Sequence, residues 1–336
     1  MKFILFLIFS PFILSCNATQ NTKGPKKKNI DYANTITAKE LKEHLYTYAG
    51  DAMEGRMTGS KGQRMAADYI RDFYIKEGIA PAPGTDNYFQ HIPVSFFAGK
   101  NDPKASENVI AYIKGSEKPD EVIVISAHLD HVGIDKNGNI FNGADDDGSG
   151  TVSVMEMAQA FQQAVKDGNG PKRSILFLHV TGEEIGLYGS RYYTENPLFP
   201  LENTVADLNI DMIGRIDPNK KDNPDYLYLI GSDMLSQELQ DVSTSVNDKY
   251  TKLELDYKFD DPDDPNRFYY RSDHYNFAKN NIPVIFYFNG VHEDYHKITD
   301  TPDKIEYELM AKRAKLIFLT AWELANREKR IALDKK

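Results

Sequence analysis

The chain has 336 residues, 41% of them hydrophobic, which suffices for a sizeable core and fits one large domain better than two. Its 40 basic residues stand against 50 acidic ones, a formal charge of -10. That balance argues against a nucleic-acid partner and suits a solvated surface or a cation-binding site.

Lys2 precedes an apolar run over residues 3–14, shorter than the roughly 20 residues that span a bilayer. Residues 1–15 therefore read as an export signal, separate from the fold. The run ends in Ile13-Leu14-Ser15-Cys16, which resembles a bacterial lipobox. This implies that Cys16 is lipidated and that the protein is anchored in the cell envelope, at the periplasmic face or the outer membrane. Cys16 is the only cysteine, so the mature fold is expected to hold no disulfide, and any metal must be bound by His and carboxylate. Residues 16–30 are polar and Lys-rich around Gly24-Pro25 and read as a flexible tether whose lysines suit anionic headgroups. Residues 31–336 remain as a single folded domain.

Two helices are predicted next, over residues 38–48 and 62–77, the second from the helical recurrence of Ala66, Ile70 and Phe73 and its stop at Gly78. Strand-like stretches follow at residues 88–97 and 108–113. Continuous apolar runs at 122–126, 175–180, 205–210 and 283–288 suit strands buried on both faces. Val154, Ala158, Phe161 and Val165 mark an amphipathic helix between the first two, and residues 234–246 and 307–326 are further helices. The pattern predicts an α/β three-layer sandwich, a mixed and largely parallel central sheet flanked by helices. In such sheets ligands gather at the carboxyl ends of the strands.

The residues at those strand ends are metal-ligand types. His128-Leu129-Asp130 follows the first run, Gly182-Glu183-Glu184 the second, and the third ends in Asp211. Asp145-Asp146-Asp147 opens the Val154 helix, and Asp294-Tyr295-His296 comes late in the chain. Each motif alone has a bland reading, since a histidine at a strand end is more often structural and a Glu pair more often a solvated helix start. Their coincidence at one sheet edge is what points to a shared pocket.

Together the segments AHLDHVG, NGADDDGSGT, TGEEIGLYGS, NIDMIGR and DYHKITDTPDKI resemble the bacterial zinc aminopeptidase family that includes leucyl aminopeptidases and aminopeptidase Y. Ala52-Met53-Glu54-Gly55-Arg56 is similar to that family's amino-terminal region. Residue by residue, the resemblance implies two Zn²⁺ ions, one on His128 and Asp211, the other on Glu184 and His296, with Asp146 bridging. It implies Glu183 as general base, Tyr295 as the phenol that steadies the oxyanion, and a cis peptide between Asp146 and Asp147. Asp130 is implied to support His128 through its far nitrogen, with Asp147 likewise behind the ligands. The implied activity is removal of amino-terminal residues from peptides with a free amino terminus, by a water activated at the zinc pair; no obligate protein partner is indicated.

Other residues keep plainer readings. His131 and His292 are expected at the rim or behind the ligands, and His179 in the core. Ser272 or Asp273 reads as a helix cap, and the acidic run at 260–264 as a solvated loop with calcium binding as an alternative. The stretch between Gln90 and Glu121 is too short for a protease-associated domain, as that between Asp211 and His296 is for an inserted lid domain. A glutaminyl cyclase-like acyltransferase with one zinc is the main alternative, and an inactive scaffold the other; the presence of every ligand and of Glu183 favours the dinuclear peptidase.

Overall fold

A computed structural model describes Met1 and residues 27–100, 104–261 and 263–335. The expected export signal and Cys16 lie outside the described residues. Helix α1 (Asn29–Ala33) begins within the stretch expected to be tether, and Lys27 already pairs with Asp167 at 2.9 Å. Helix α2 (Ala38–Tyr48) starts where Thr37 accepts the Glu40 N–H, and α3 (Lys61–Glu77) where Ser60 accepts the Gln63 N–H. These are side-chain caps for otherwise unpaired first-turn donors. Gly78 stops α3 in the left-handed region, φ 72°, a conformation glycine adopts without steric cost.

Strands β1 (Ala80–Pro81), β2 (Phe89–Ile92), β3 (Ser106–Ile113) and β4 (Lys118–His128) lead to a small hairpin of β5 (Gly133–Ile134) and β6 (Ile140–Phe141). Helix α4 (Gly150–Lys166), β7 (Arg173–Val180), α5 (Tyr188–Glu195), β8 (Thr204–Ile210) and β9 (Tyr226–Ile230) follow. Helix α6 (Gln237–Val246), β10 (Glu254–Asp256), α7 (His274–Ala278), β11 (Val284–Phe288) and α8 (Tyr307–Asn326) complete the chain. The expected strand over 88–97 is split, its second half forming a 3₁₀ turn at Val94–Phe97 after Pro93.

The main sheet runs β1-β3-β7-β4-β8-β11-β9-β10, with β2 also on β3. Its central strands β7, β4, β8 and β11 are mutually parallel, while β3 joins β7 and β9 joins β11 antiparallel. This is the expected mixed, largely parallel sheet between helical layers. Ile123, Ile125 and Ala127 pack with the core formed by α2, α3, α4 and α8, whereas Val122 and Val124 face Tyr193 of α5 and Phe277 of α7. The two-residue alternation along a strand decides which face each side chain joins. It sends Ser126 and His128 of β4 to the same side as Asp207 and Asn209 of β8 and Asp211 just beyond it, and Ser126 Oγ donates to Asp207 Oδ1 at 2.7 Å. Among the described residues, no helix is long and apolar enough to cross a membrane.

Candidate metal centre

Asp146 sits between two sets of side chains. Its Oδ1 lies 3.1 Å from His128 Nε2, which is 3.7 Å from Asp211 Oδ1. Its Oδ2 lies 3.0 Å from His296 Nε2, which is 3.0 Å from Glu184 Oε2. The five residues expected as ligands therefore form two clusters that share one carboxylate. The middle of the three aspartates takes that position. Asp145 instead turns its carboxylate to the Gly214 N–H (2.7 Å) and toward His292 Nε2 (3.2 Å). Asp147 accepts the N–H groups of His128, Gly150 and Met212, tying β4, α4 and the end of β8 together. The Asp146-Asp147 peptide is cis, as expected.

The chemistry of the donor set fits divalent cations. His128 Nε2, Asp146 Oδ2 and Glu184 Oε1 are buried and face imidazole or carboxylate atoms at ion-pair distance without a well-formed hydrogen bond among the described residues, an arrangement a cation would satisfy. Histidine nitrogen with carboxylate oxygen is the set zinc takes in cysteine-free sites. Burial alone would raise the Asp146 carboxyl, but His128, His296 and His131 hold it well below the usual carboxylate range.

Several supports differ from expectation. His128 Nδ1 contacts the backbone carbonyl of Asp130 at 3.0 Å, while the Asp130 carboxylate stands 3.8 Å away. That carboxylate accepts from Thr58 Oγ1 (2.7 Å) and from the Glu183 N–H (3.2 Å), so it positions the expected base. Ser272 is not a cap; its hydroxyl donates to Asp211 Oδ2 at 2.7 Å and receives Asn209 Nδ2 at 2.9 Å. Asp273 does occupy the N-cap position of α7 but makes no side-chain cap bond; it accepts from Ser190 instead.

His131 is buried behind the expected ligands, not at the rim. Its Nδ1 stands 2.6 Å from Glu184 Oε1 and 3.8 Å from Asp146 Oδ2, and these three residues form a second group able to hold a cation. His131 and His296 thus approach Glu184 from its two oxygens. Only the spacing of His131 after His128 and Asp130 hinted at this. His292 is also buried, against Asp145, and His179 is a core residue whose Nε2 meets Tyr74 Oη at 2.6 Å.

Glu183 and Tyr295 face a recess beside the carboxylates, with Met212, Phe268, Phe286 and Phe288 on its walls. Burial, reinforced by Asp211, Asp273 and Glu184 against the opposing His128, pushes the Glu183 carboxyl well above its ordinary value. Tyr295 stacks on His296 with ring centroids 4.0 Å apart. Burial, with Asp146, Asp211 and Glu184 nearby, raises its phenol, which keeps it a hydrogen-bond donor at neutral pH.

Residues 108–321 match the family description Peptidase family M28. The chain belongs to that family. A probable zinc metalloprotease of Pyricularia oryzae is 29% identical over 269 residues, covering 67% of this M28 chain and 51% of its own length. The chain thus spans about half the length of that relative. The LapA aminopeptidase of Legionella pneumophila superposes with a TM-score of 0.69 at 21% identity, covering 97% of this chain and 81% of its own. A glutaminyl cyclase of Bacteroides thetaiotaomicron reaches 0.64 at 15% identity, covering 85% and 98%. At such identities the M28 chain shares the fold of both, and the fold does not choose between their chemistries.

Proposed function

We propose that this M28 chain is a zinc aminopeptidase that releases amino-terminal residues from peptides. The observation that carries the reading is the two-sided contact of Asp146, whose separate oxygens face His128 and His296 at 3.1 and 3.0 Å. A carboxylate in that position suits two ions, one on His128 and Asp211, the other on Glu184 and His296. Bound there, zinc would supply Lewis acidity that polarises the scissile carbonyl and makes a water acidic enough to attack near neutral pH.

The remaining steps belong to side chains of this chain. Glu183, whose backbone is held by the Asp130 carboxylate, accepts the proton of the attacking water and passes it to the leaving amine. Tyr295 Oη donates a hydrogen bond to the oxygen that gains charge as the carbonyl becomes tetrahedral. The aromatic recess beside them takes the side chain of the residue being released.

The test combines metal analysis with turnover. Wild-type protein should bind two zinc ions and hydrolyse aminoacyl anilides, and Glu183→Gln should retain both ions while losing about 10²- to 10⁴-fold in kcat. One ion at saturation, together with cyclisation of amino-terminal glutamine and no amide hydrolysis, would establish the glutaminyl cyclase alternative instead. We also propose envelope anchoring through Cys16; Cys16→Ala should move the protein from the membrane fraction to the soluble one.

A further inference from the structure

The recess that receives the released residue is not wholly apolar. Arg271, the residue before Ser272, lines it together with Phe268, Met212 and Phe288. Apart from Asp146, Asp211 and Glu183, already assigned to metal binding and proton transfer, Arg271 is the only charged residue on its wall. Its guanidinium lies 5.0 Å from the centre of the Phe268 ring, a cation-π contact that steadies the group without neutralising it. Among the described residues, no carboxylate stands within ion-pair distance of it, in contrast to Arg215, which pairs with Asp294 at 2.9 Å. Arg271 remains solvent-exposed, so it retains its hydration until a ligand enters. Tyr295 lines the same recess, which places the Arg271 charge close to its catalytic end.

A purely aromatic recess would favour large apolar residues. A free guanidinium on its wall changes the balance, because its planar fork of donors matches a carboxylate in two parallel hydrogen bonds. It also disfavours a lysine or arginine side chain in the same space through like-charge repulsion. The α-amino group of the substrate needs the carboxylate end of the recess, so the group left to meet Arg271 is the side chain of the first residue.

We propose that Arg271 makes this recess selective for peptides whose amino-terminal residue is acidic, glutamate or aspartate, with its guanidinium binding the side-chain carboxylate. This rests on the aminopeptidase reading and names the substrate class of that same site. The methylene groups of glutamate would lie along Phe268 and Met212 while its carboxylate reaches the fork.

Glutamyl and glutaminyl 4-nitroanilides separate the charge from the shape, since the two side chains are nearly isosteric. With the zinc-loaded wild-type protein, kcat/KM for the glutamyl substrate should exceed that for the glutaminyl one by about 10-fold or more, the value of one charge-assisted pair, mostly through KM. Arg271→Met should bring the ratio to about one, and Arg271→Glu should turn the preference toward a lysyl substrate. The ratio does not depend on the fraction of protein folded, so a less stable variant still gives an answer. An unchanged ratio in Arg271→Met, or a wild-type preference for glutamine, would overturn the proposal, including the case in which Arg271 binds the carboxyl terminus of short peptides. Failure to cleave any aminoacyl anilide would instead count against the aminopeptidase reading itself.

Discussion

Asp300 Oδ2 accepts the backbone N–H of Asp146 at 3.2 Å, and also that of Asp145 at 3.0 Å. The carboxylate that faces both clusters is thus held from behind by a residue 154 positions away. Asp300→Ala removes the acceptor and frees the loop, and zinc affinity should fall about 10- to 100-fold, the usual cost of losing a group that orients a ligand. Asp300→Asn keeps one carbonyl oxygen and should fall between. Competition with a chromogenic chelator measures this; wild-type affinity in Asp300→Ala would disprove the link.

His131 is predicted to matter for metal binding although it lay outside the expected ligand set. With Nδ1 2.6 Å from Glu184 Oε1, its loss removes the group that faces the oxygen His296 does not contact. His131→Ala should weaken binding of one ion by about 10- to 100-fold and leave the other close to its original affinity. Two-step zinc titration by calorimetry distinguishes that from a uniform loss.

Arg56 should control stability rather than chemistry. It is fully buried, lies over the Tyr48 ring, and donates to the carbonyls of Leu129, Tyr48, Asn142 and Gly143 at 2.7–3.3 Å. Lysine cannot reproduce that fork, and the carbonyls it leaves unpaired are shielded from water. Arg56→Lys should cost about 2–4 kcal/mol in denaturant unfolding, and a change below about 0.5 kcal/mol would refute the assignment.

Asp260 links stability to pH. Burial pushes its carboxyl up to about 7, although it accepts the Gly231 N–H and the Ser232 hydroxyl. An unfolded aspartate ionises near pH ~4, so between ~4 and about 7 the folded chain holds the extra proton. Stability therefore falls as pH rises through that window. Asp260→Asn resembles the protonated form, so its melting temperature should match the wild type near pH ~4 and exceed it at pH ~8. A constant difference across that range would contradict this linkage. The same contacts show that the acidic stretch is not uniformly solvated, since Asp260 turns inward to Gly231 and Ser232 just after β9.

Helix α8 was legible to the residue, because a 20-residue amphipathic stretch carries its own period. The buried strand Tyr226–Ile230 was not among the predicted elements, although it is a continuous apolar run of the same kind as the other buried strands. Its antiparallel pairing with β11 is what mixes that edge of the sheet. The Ala52-to-Arg56 motif was noticed by resemblance, but its physical reason is tertiary. Gly55, at φ 63°, lies where a Cβ would come within 2.4 Å of the Gly133 carbonyl oxygen, and Arg56 turns into the loop that leads to Asp146.

By itself the sequence determined the α/β architecture and the residue types at the strand ends, because hydrophobic period and motif spacing are local properties. Resemblance singled out Asp146 from its neighbours. Only the tertiary structure decided how these groups are held: by the carbonyl rather than the carboxylate of Asp130 at His128, by Ser272 at Asp211, by Asp300 at the Asp146 backbone, and with Arg271 on the wall of the recess. Those contacts join residues far apart in the chain, and a hydrogen bond depends on distances and directions that exist only after the sheet and its loops have packed.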